Sequence, residues 1–293
     1  MIRRLLPLLA LVLIACAKEE PEPEAVQLPY RGVDASLVPT IEGSGVRYRS
    51  FEGVEGDFLD IVSDNGINTI RLRLWYDPAD SRSSWDEVKN FCDQIHAKGL
   101  KVWITVHYSD TWADPGHQET PADWSNLTLG ELRDSVYEYT GRIVREMEPE
   151  IIQIGNEINN GFLHPTDHRW NSKAAFYDLI DAGIQAVRDA ETDSKVMLHF
   201  AGYRELESFL AECDTLDYDM LGLSYYPIWH GKSLDSLRTA IGSISAYGKI
   251  GVIAEFAYPF TFDWADWTNN IIGSEDQILP AYAAEPSGQA KYV

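Results

Sequence analysis

Two glutamates stand where buried strands should end. Glu157 closes the run IIQIGNE and Glu255 closes GVIAE, each after a stretch of aliphatic residues. An ionisable group at the end of a segment built for burial costs free energy unless it is paired or used. Two carboxylates about 5 to 5.5 Å apart support retaining glycoside hydrolysis, in which one protonates the leaving oxygen and the other attacks the anomeric carbon. A separation of about 6.5 to 9.5 Å goes with inversion. One strand-end Glu alone could equally cap a helix or pair with Arg71 or Arg73. The pair, with Asn156 directly before the first, argues for chemistry.

Each role makes demands on its neighbours. Glu157 as the acid must be protonated, so its pKa should be raised, the more so once Glu255 is negative. Glu255 as the nucleophile must stay ionised, and Arg71 or Arg73, alternating along the inward face of one strand, can hold it so. Asn156 can hydrogen-bond a sugar 2-OH, Tyr225 the nucleophile, and His107 a sugar hydroxyl. Asp34 and His199 also follow apolar strands at the same end. Trp112, Asp114, His117, Trp124 and Trp229 fall in the loops after the third and sixth strands. Indole faces there can stack on the C–H faces of sugars. Trp103, inside a strand, reads as packing.

The elements that must position these residues alternate. RGVDAS, INTIRLRLW, LKVWITVHYSD, EIIQIGNE, KVMLHF, YDMLGLSYYP and KIGVIAEFAYP read as seven strands. Amphipathic segments separate most of them. In WDEVKNFCDQIHAKG, for instance, Val88, Phe91, Cys92 and Ile95 share a face and Gly99 offers a stop. Strands apolar on both faces and followed by helices predict a parallel sheet wrapped by helices. Polar residues recur after most of the strand ends, as in a (β/α)8 barrel. A doubly wound sheet would gather them at one switch point, usually with a Gly-rich phosphate loop, and no such loop follows a strand here. After Glu255 the chain reaches PSGQAKYV, where a seventh helix is expected to begin. The eighth β/α unit is therefore expected to be missing from this chain, leaving an open sheet edge.

At this point the motifs carry a resemblance. GNE on the fourth strand and a Glu ending the seventh resemble the large clan of retaining barrel glycosidases. HYSDTWADPGHQETPADW closely resembles the signature of the family 53 glycoside hydrolases, the endo-β-1,4-galactanases, and NTIRLRLWYDP, IQIGNEINNGFLHP and DMLGLSYYPIWHG are similar to the same family. The likeness runs from about Tyr30 to the C-terminus. It implies cleavage of β-1,4-galactan, the side chain of type I arabinogalactan in pectin, with Glu157 as acid/base and Glu255 as nucleophile. It also implies a Trp from the eighth strand flooring the sugar site, which this sequence does not reach. Some bacterial members hold calcium in the loops after strands seven and eight. Asp263, Asp266 and Asn269 lack EF-hand spacing, so no metal and no cofactor is expected.

The chain has 293 residues, 45% of them hydrophobic, enough for one large core. Residues 1–15 read as a signal peptide, with Arg3 and Arg4 before an apolar run too short to anchor stably in a bilayer. LIAC resembles a bacterial lipobox, making Cys16 the expected site of lipidation. Residues 16–29 read as an acidic, Pro-rich tether and residues 30–293 as one barrel domain, cut short at its C-terminal end. This predicts a protein lipid-anchored to the outer membrane and exposed at the cell surface. A net charge of −22 disfavours nucleic acid and anionic membrane surfaces. The expected partner is a neutral glycan, the expected state a monomer, and membrane contact is through the lipid alone. Cys92 and Cys213 are too few and too far apart to form a disulfide framework. The competing readings are another retaining endo-β-glycanase, such as a mannanase or xylanase, and an inactive galactan-binding lipoprotein.

Overall fold

The computed structural model describes residues 28–264, 267 and 270–293. Cys16, Asp266 and Asn269 lie outside them. The seven expected strands are present, with a small insertion that the sequence reading did not anticipate. In chain order the elements begin β1 (Gly32–Asp34), α1 (Val38–Gly43), β2 (Tyr48–Arg49), β3 (Glu55–Gly56), α2 (Phe58–Asp64), β4 (Thr69–Leu74), α3 (Trp85–Ala97), β5 (Lys101–Val106), α4 (Leu129–Met147) and β6 (Ile151–Ile154). They continue with α5 (Lys173–Asp189), β7 (Lys195–Ala201), α6 (Leu206–Cys213), β8 (Met220–Ser224), α7 (Pro227–His230), α8 (Leu234–Ala246), β9 (Ile250–Glu255) and α9 (Pro286–Tyr292). Helix α1 and the antiparallel β2–β3 pair are the insertion.

The large sheet is parallel, in the order β1-β4-β5-β6-β7-β8-β9. It is the wall of a (β/α) barrel, and among the described residues β1 and β9 are its edges. Alternation explains why it curls with helices outside. Ile70, Leu72, Leu74, Val102, Ile104, Val106, Ile152, Ile154, Leu198, Phe200, Leu221 and Leu223 join the core that packs on the helices. Each such side chain contributes about 1.5 to 3 kcal/mol on burial. Residues of opposite parity face the axis. Trp103, Ile151, Met197 and Met220 form a separate apolar cluster with Val252 and Ala254. Thr105, Gln153 and His199 are buried polar residues of the same parity.

The helices start and stop on sequence signals. Ser84 caps α3 by accepting from the Glu87 N–H, and Val88, Phe91, Cys92 and Ile95 are its buried face. Thr128 and Glu131 form a capping box at the start of α4. Cys92 and Cys213 are buried and free, and burial pushes both thiols up to about 12.

Candidate active site

Strand β6 delivers the first carboxylate through a strained exit. Gly155 takes φ +73°, and a Cβ there would meet the Ile158 side chain at 2.3 Å. Glu157 itself has φ +51°, an uncommon conformation for a non-glycine residue. Asn156 is buried between them. Its Oδ1 accepts from Arg71 at 3.0 Å and its Nδ2 donates to the Ala113 carbonyl at 2.9 Å. Its second Nδ2 hydrogen has no partner among the described residues.

Strand β9 delivers the second carboxylate through a bulge. Leu223 pairs with Ile253, but Ser224 pairs with Glu255, so Ala254 is the extra residue. Val252 and Ala254 both pack on the axis-side cluster. Strict alternation would then turn Glu255 outward, toward the helices. The bulge resets the phase and re-aims Glu255 to the axis side, as bulges beside active sites do.

Arg71 joins these parts. Its Nη2 donates to Glu255 at 2.6 Å and to Asn156, and its Nη1 donates to Asp34 at 3.0 Å. The guanidinium lies 5.4 Å from the centre of the Trp103 ring. Burial by itself would raise the Glu255 pKa. The Arg71 charge, helped by hydrogen bonds from Arg71 and Tyr226, outweighs it and holds the carboxyl below the usual range. Glu157 goes the other way. Burial first, and then the Glu255 charge, push it up to about 7. One carboxyl is kept ionised and its neighbour protonated near neutrality, the division of labour that acid–nucleophile chemistry needs.

The remaining candidates divide. The hydroxyl on Glu255 is that of Tyr226, at 3.2 Å, not that of Tyr225. Tyr225 donates instead to the Gly231 carbonyl at 2.9 Å. Parity along β8 explains the correction: Met220 belongs to the axis-side cluster, so even-numbered residues face the axis and Tyr226 continues them. Arg73 does not reach Glu255. Its Nε donates to Ser83, and its guanidinium lies under the rings of Trp75 and Trp112. Trp112 and Trp229 are about half exposed, and Trp229 meets Tyr226 edge-on at 5.1 Å.

His107 and His199 are buried beneath the mouth rather than open to a sugar. His107 Nδ1 accepts from the Ala113 N–H at 2.9 Å, steadying the loop that carries Trp112. Burial and the charges of Arg71 and Arg73 keep its ring neutral. His199 is likewise neutral, pushed down to about 3 by burial. Trp124 also departs from expectation. The short turn Ala122–Trp124 folds its ring onto Tyr76 and Tyr139, with centroids 4.7 and 6.1 Å away, so it is packing. Asp114 accepts from the Gly116 N–H and from His117 Nδ1, shaping its own turn. A cavity of about 380 Å³ opens between residues 116–125 and 164–166, and neither carboxylate lines it.

Sequence reasoning missed Tyr226, Gln118 and Gln153. Gln153 sits under the site, accepting from Trp103 and Thr105 and donating to the Gly155 carbonyl. A Gln in the middle of an otherwise aliphatic strand was the available signal.

The chain is similar to known proteins of one family. The model of glycosyl hydrolase family 53 matches residues 30–293. A probable arabinogalactan endo-β-1,4-galactanase A of Aspergillus terreus is 34% identical over 251 residues, 79% of this chain and 72% of the relative. The arabinogalactan endo-β-1,4-galactanase of Cellvibrio japonicus is 33% identical over 288 residues, 90% of this chain and 74% of the relative. The solved family 53 catalytic domain of Ignisphaera aggregans superposes with a TM-score of 0.84 at 38% identity, covering 90% of this chain and 78% of that one. A paired, oppositely tuned set of carboxylates on this barrel wall, and a family match over the whole described domain, lead to one assignment: the chain belongs to glycosyl hydrolase family 53.

Proposed function

We propose that the protein is a retaining endo-β-1,4-galactanase. The observation that carries this reading is the opposite tuning of the two carboxyls, Glu255 held ionised by Arg71 and Glu157 raised to about 7. The galactanase names of the relatives supply the substrate class.

In the first step a Glu255 carboxylate oxygen attacks the anomeric carbon of the galactosyl unit. The bond to the leaving oxygen breaks as that oxygen takes the proton of Glu157. A glycosyl ester on Glu255 and a shortened chain with a free hydroxyl result. Glu157, now a carboxylate, next removes a proton from water. The water oxygen attacks the same carbon and releases Glu255, and two inversions leave the β configuration. The second Asn156 Nδ2 hydrogen would donate to the 2-OH, and Trp112 and Trp229 would offer faces on which galactose rings can stack.

Cys16 as a lipid anchor, with an acidic tether behind it, would place the enzyme at the outer-membrane surface, where polymeric glycan is met before transport. Labelling with a radioactive fatty acid, lost in Cys16→Ser, checks the anchor.

The substrate reading is tested by incubating the purified chain with galactan, mannan and xylan. Release of galacto-oligosaccharides from galactan alone is expected, with the β anomer appearing first by NMR. Products from mannan or xylan in preference, or binding of galactan with no products, would contradict it.

A further inference from the structure

Glu157 occupies a left-handed backbone conformation that no covalent feature of the residue favours. Two side chains outside the proposed chemistry, together with main-chain bonds, hold it there. Two peptide planes flank the Glu157 Cα, and all four of their polar atoms are taken. Gln118 Nε2 donates to the Asn156 carbonyl at 2.7 Å and, more weakly, to the Glu157 carbonyl at 3.3 Å, which also accepts from the Asn159 N–H at 2.9 Å. His199 Nδ1 accepts from the Glu157 N–H at 3.2 Å, and the His199 carbonyl accepts from the Ile158 N–H at 2.9 Å. Fixing both planes fixes φ and ψ, and so the direction in which the side chain leaves the backbone.

Chemistry dictates the orientation of both partners. Only the NH2 end of an amide can face two carbonyl oxygens. Gln118 is 1% exposed, and its Oε1 finds no protein partner among the described residues, so the side chain sits there for its donors. The Glu157 N–H and Gln153 Nε2, at 3.2 and 3.0 Å, can only donate to His199 Nδ1, and against the one acceptor there, Asn156 Oδ1 at 3.1 Å, they place the lone pair on Nδ1 and the proton on Nε2. That proton goes to Ser224 Oγ at 3.0 Å. The Ser224 hydroxyl in turn faces the Glu157 carboxyl.

We propose that Gln118 and His199 are positioning residues for the acid/base: by clamping the Asn156–Glu157 peptide plane, while main-chain bonds hold the next one, they aim the Glu157 carboxyl at the glycosidic oxygen. The inference rests on Glu157 being that acid. Gln118→Met keeps the length and removes the donors. His199→Leu removes the acceptor, whereas His199→Asn keeps an acceptor oxygen where Nδ1 stands.

The test compares aryl β-galactosides with poor and good leaving groups, so it is read independently of whether polymer is cleaved. A misaimed Glu157 slows glycosylation only where the leaving oxygen needs its proton, and it also slows the later attack of water, so with good leaving groups glycosylation is read from the pre-steady-state burst of aryl release. Gln118→Met and His199→Leu should lose about 10²-fold in kcat for phenol-type leaving groups, the scale of general acid catalysis. With dinitrophenol the burst rate of aryl release should change less than about threefold, and the KM for the poor substrate should stay near wild type. His199→Asn should keep most of the lost rate. Equal losses on both leaving groups, no loss in Gln118→Met, or no difference between His199→Asn and His199→Leu would overturn the proposal. Thermal melts establish which variants fold. If Gln118→Met does not, the two His199 variants decide.

Discussion

Replacing Glu157 by Gln should stabilise the protein at alkaline pH while disabling it. Burial and the neighbouring Glu255 charge raise this carboxyl from 4.5 to about 7. Linkage gives the sign. Between those two values the folded chain holds a proton that the unfolded chain has released, so stability falls as pH rises through that window. Below pH 4 both states are protonated and Glu157 exerts no penalty. Above pH 8 the penalty is complete, about 3 kcal/mol at roughly 1.4 kcal/mol per pKa unit. A Gln of the same shape carries no charge at any pH. The E157Q protein should therefore match wild type near pH 4 and exceed it by about 3 kcal/mol at pH 8. For a domain of this size that corresponds to roughly 6 to 12 °C in Tm. Urea unfolding of both proteins at the two pH values measures the difference. Equal stability at pH 8, or an advantage of E157Q that is the same at pH 4, would refute the reasoning.

Other outcomes follow from the same contacts. Arg71→Met leaves Glu255 buried without its main counter-charge, so kcat/KM should fall by at least about 10²-fold, one decade for each pKa unit by which Glu255 rises above the assay pH. The acidic limb of its pH profile should move upward, whereas in wild type that limb lies low and the basic limb sits near 7, where Glu157 loses its proton. Tyr226→Phe should cost roughly tenfold in kcat, the scale of one hydrogen bond to a charged group, and Tyr225→Phe much less; steady-state kinetics of the pair separate the two hydroxyls. In Glu157→Ala, azide should accelerate cleavage of activated aryl galactosides and yield the β-galactosyl azide, detectable by NMR.

The sequence made the strand order and both carboxylates readable because burial on two faces forces long aliphatic runs, and most of these runs lead into a polar residue. The polar partners were harder. Tyr226 was available from parity, since Met220, Gly222 and Ser224 set the axis-side phase of β8, yet two adjacent tyrosines look alike without that count. The aim of Glu255 was not available. GVIAE read with period two turns the carboxylate outward, and only the bulge at Ala254 reverses it. The bulge is a property of pairing between β8 and β9, not of either segment alone. Trp124 misled for a related reason. An indole in a loop can stack on sugar or fold back, and Tyr139, one helix later in the chain, decides for packing. Gln118 sits inside the motif HYSDTWADPGHQETPADW, but its partners are main-chain atoms nearly forty residues away, which no local pattern announces.

The central claim is that Glu255 forms a covalent ester with the sugar. A 2-deoxy-2-fluoro-β-galactosyl substrate with an activated leaving group slows the breakdown of that ester enough to trap it. Digestion and mass spectrometry of the trapped protein should place one fluorogalactosyl increment on the peptide that contains Glu255, and none in E255Q. An increment on Glu157 or on another carboxylate, or turnover of natural substrate to the α anomer with no trapped species, would contradict the account.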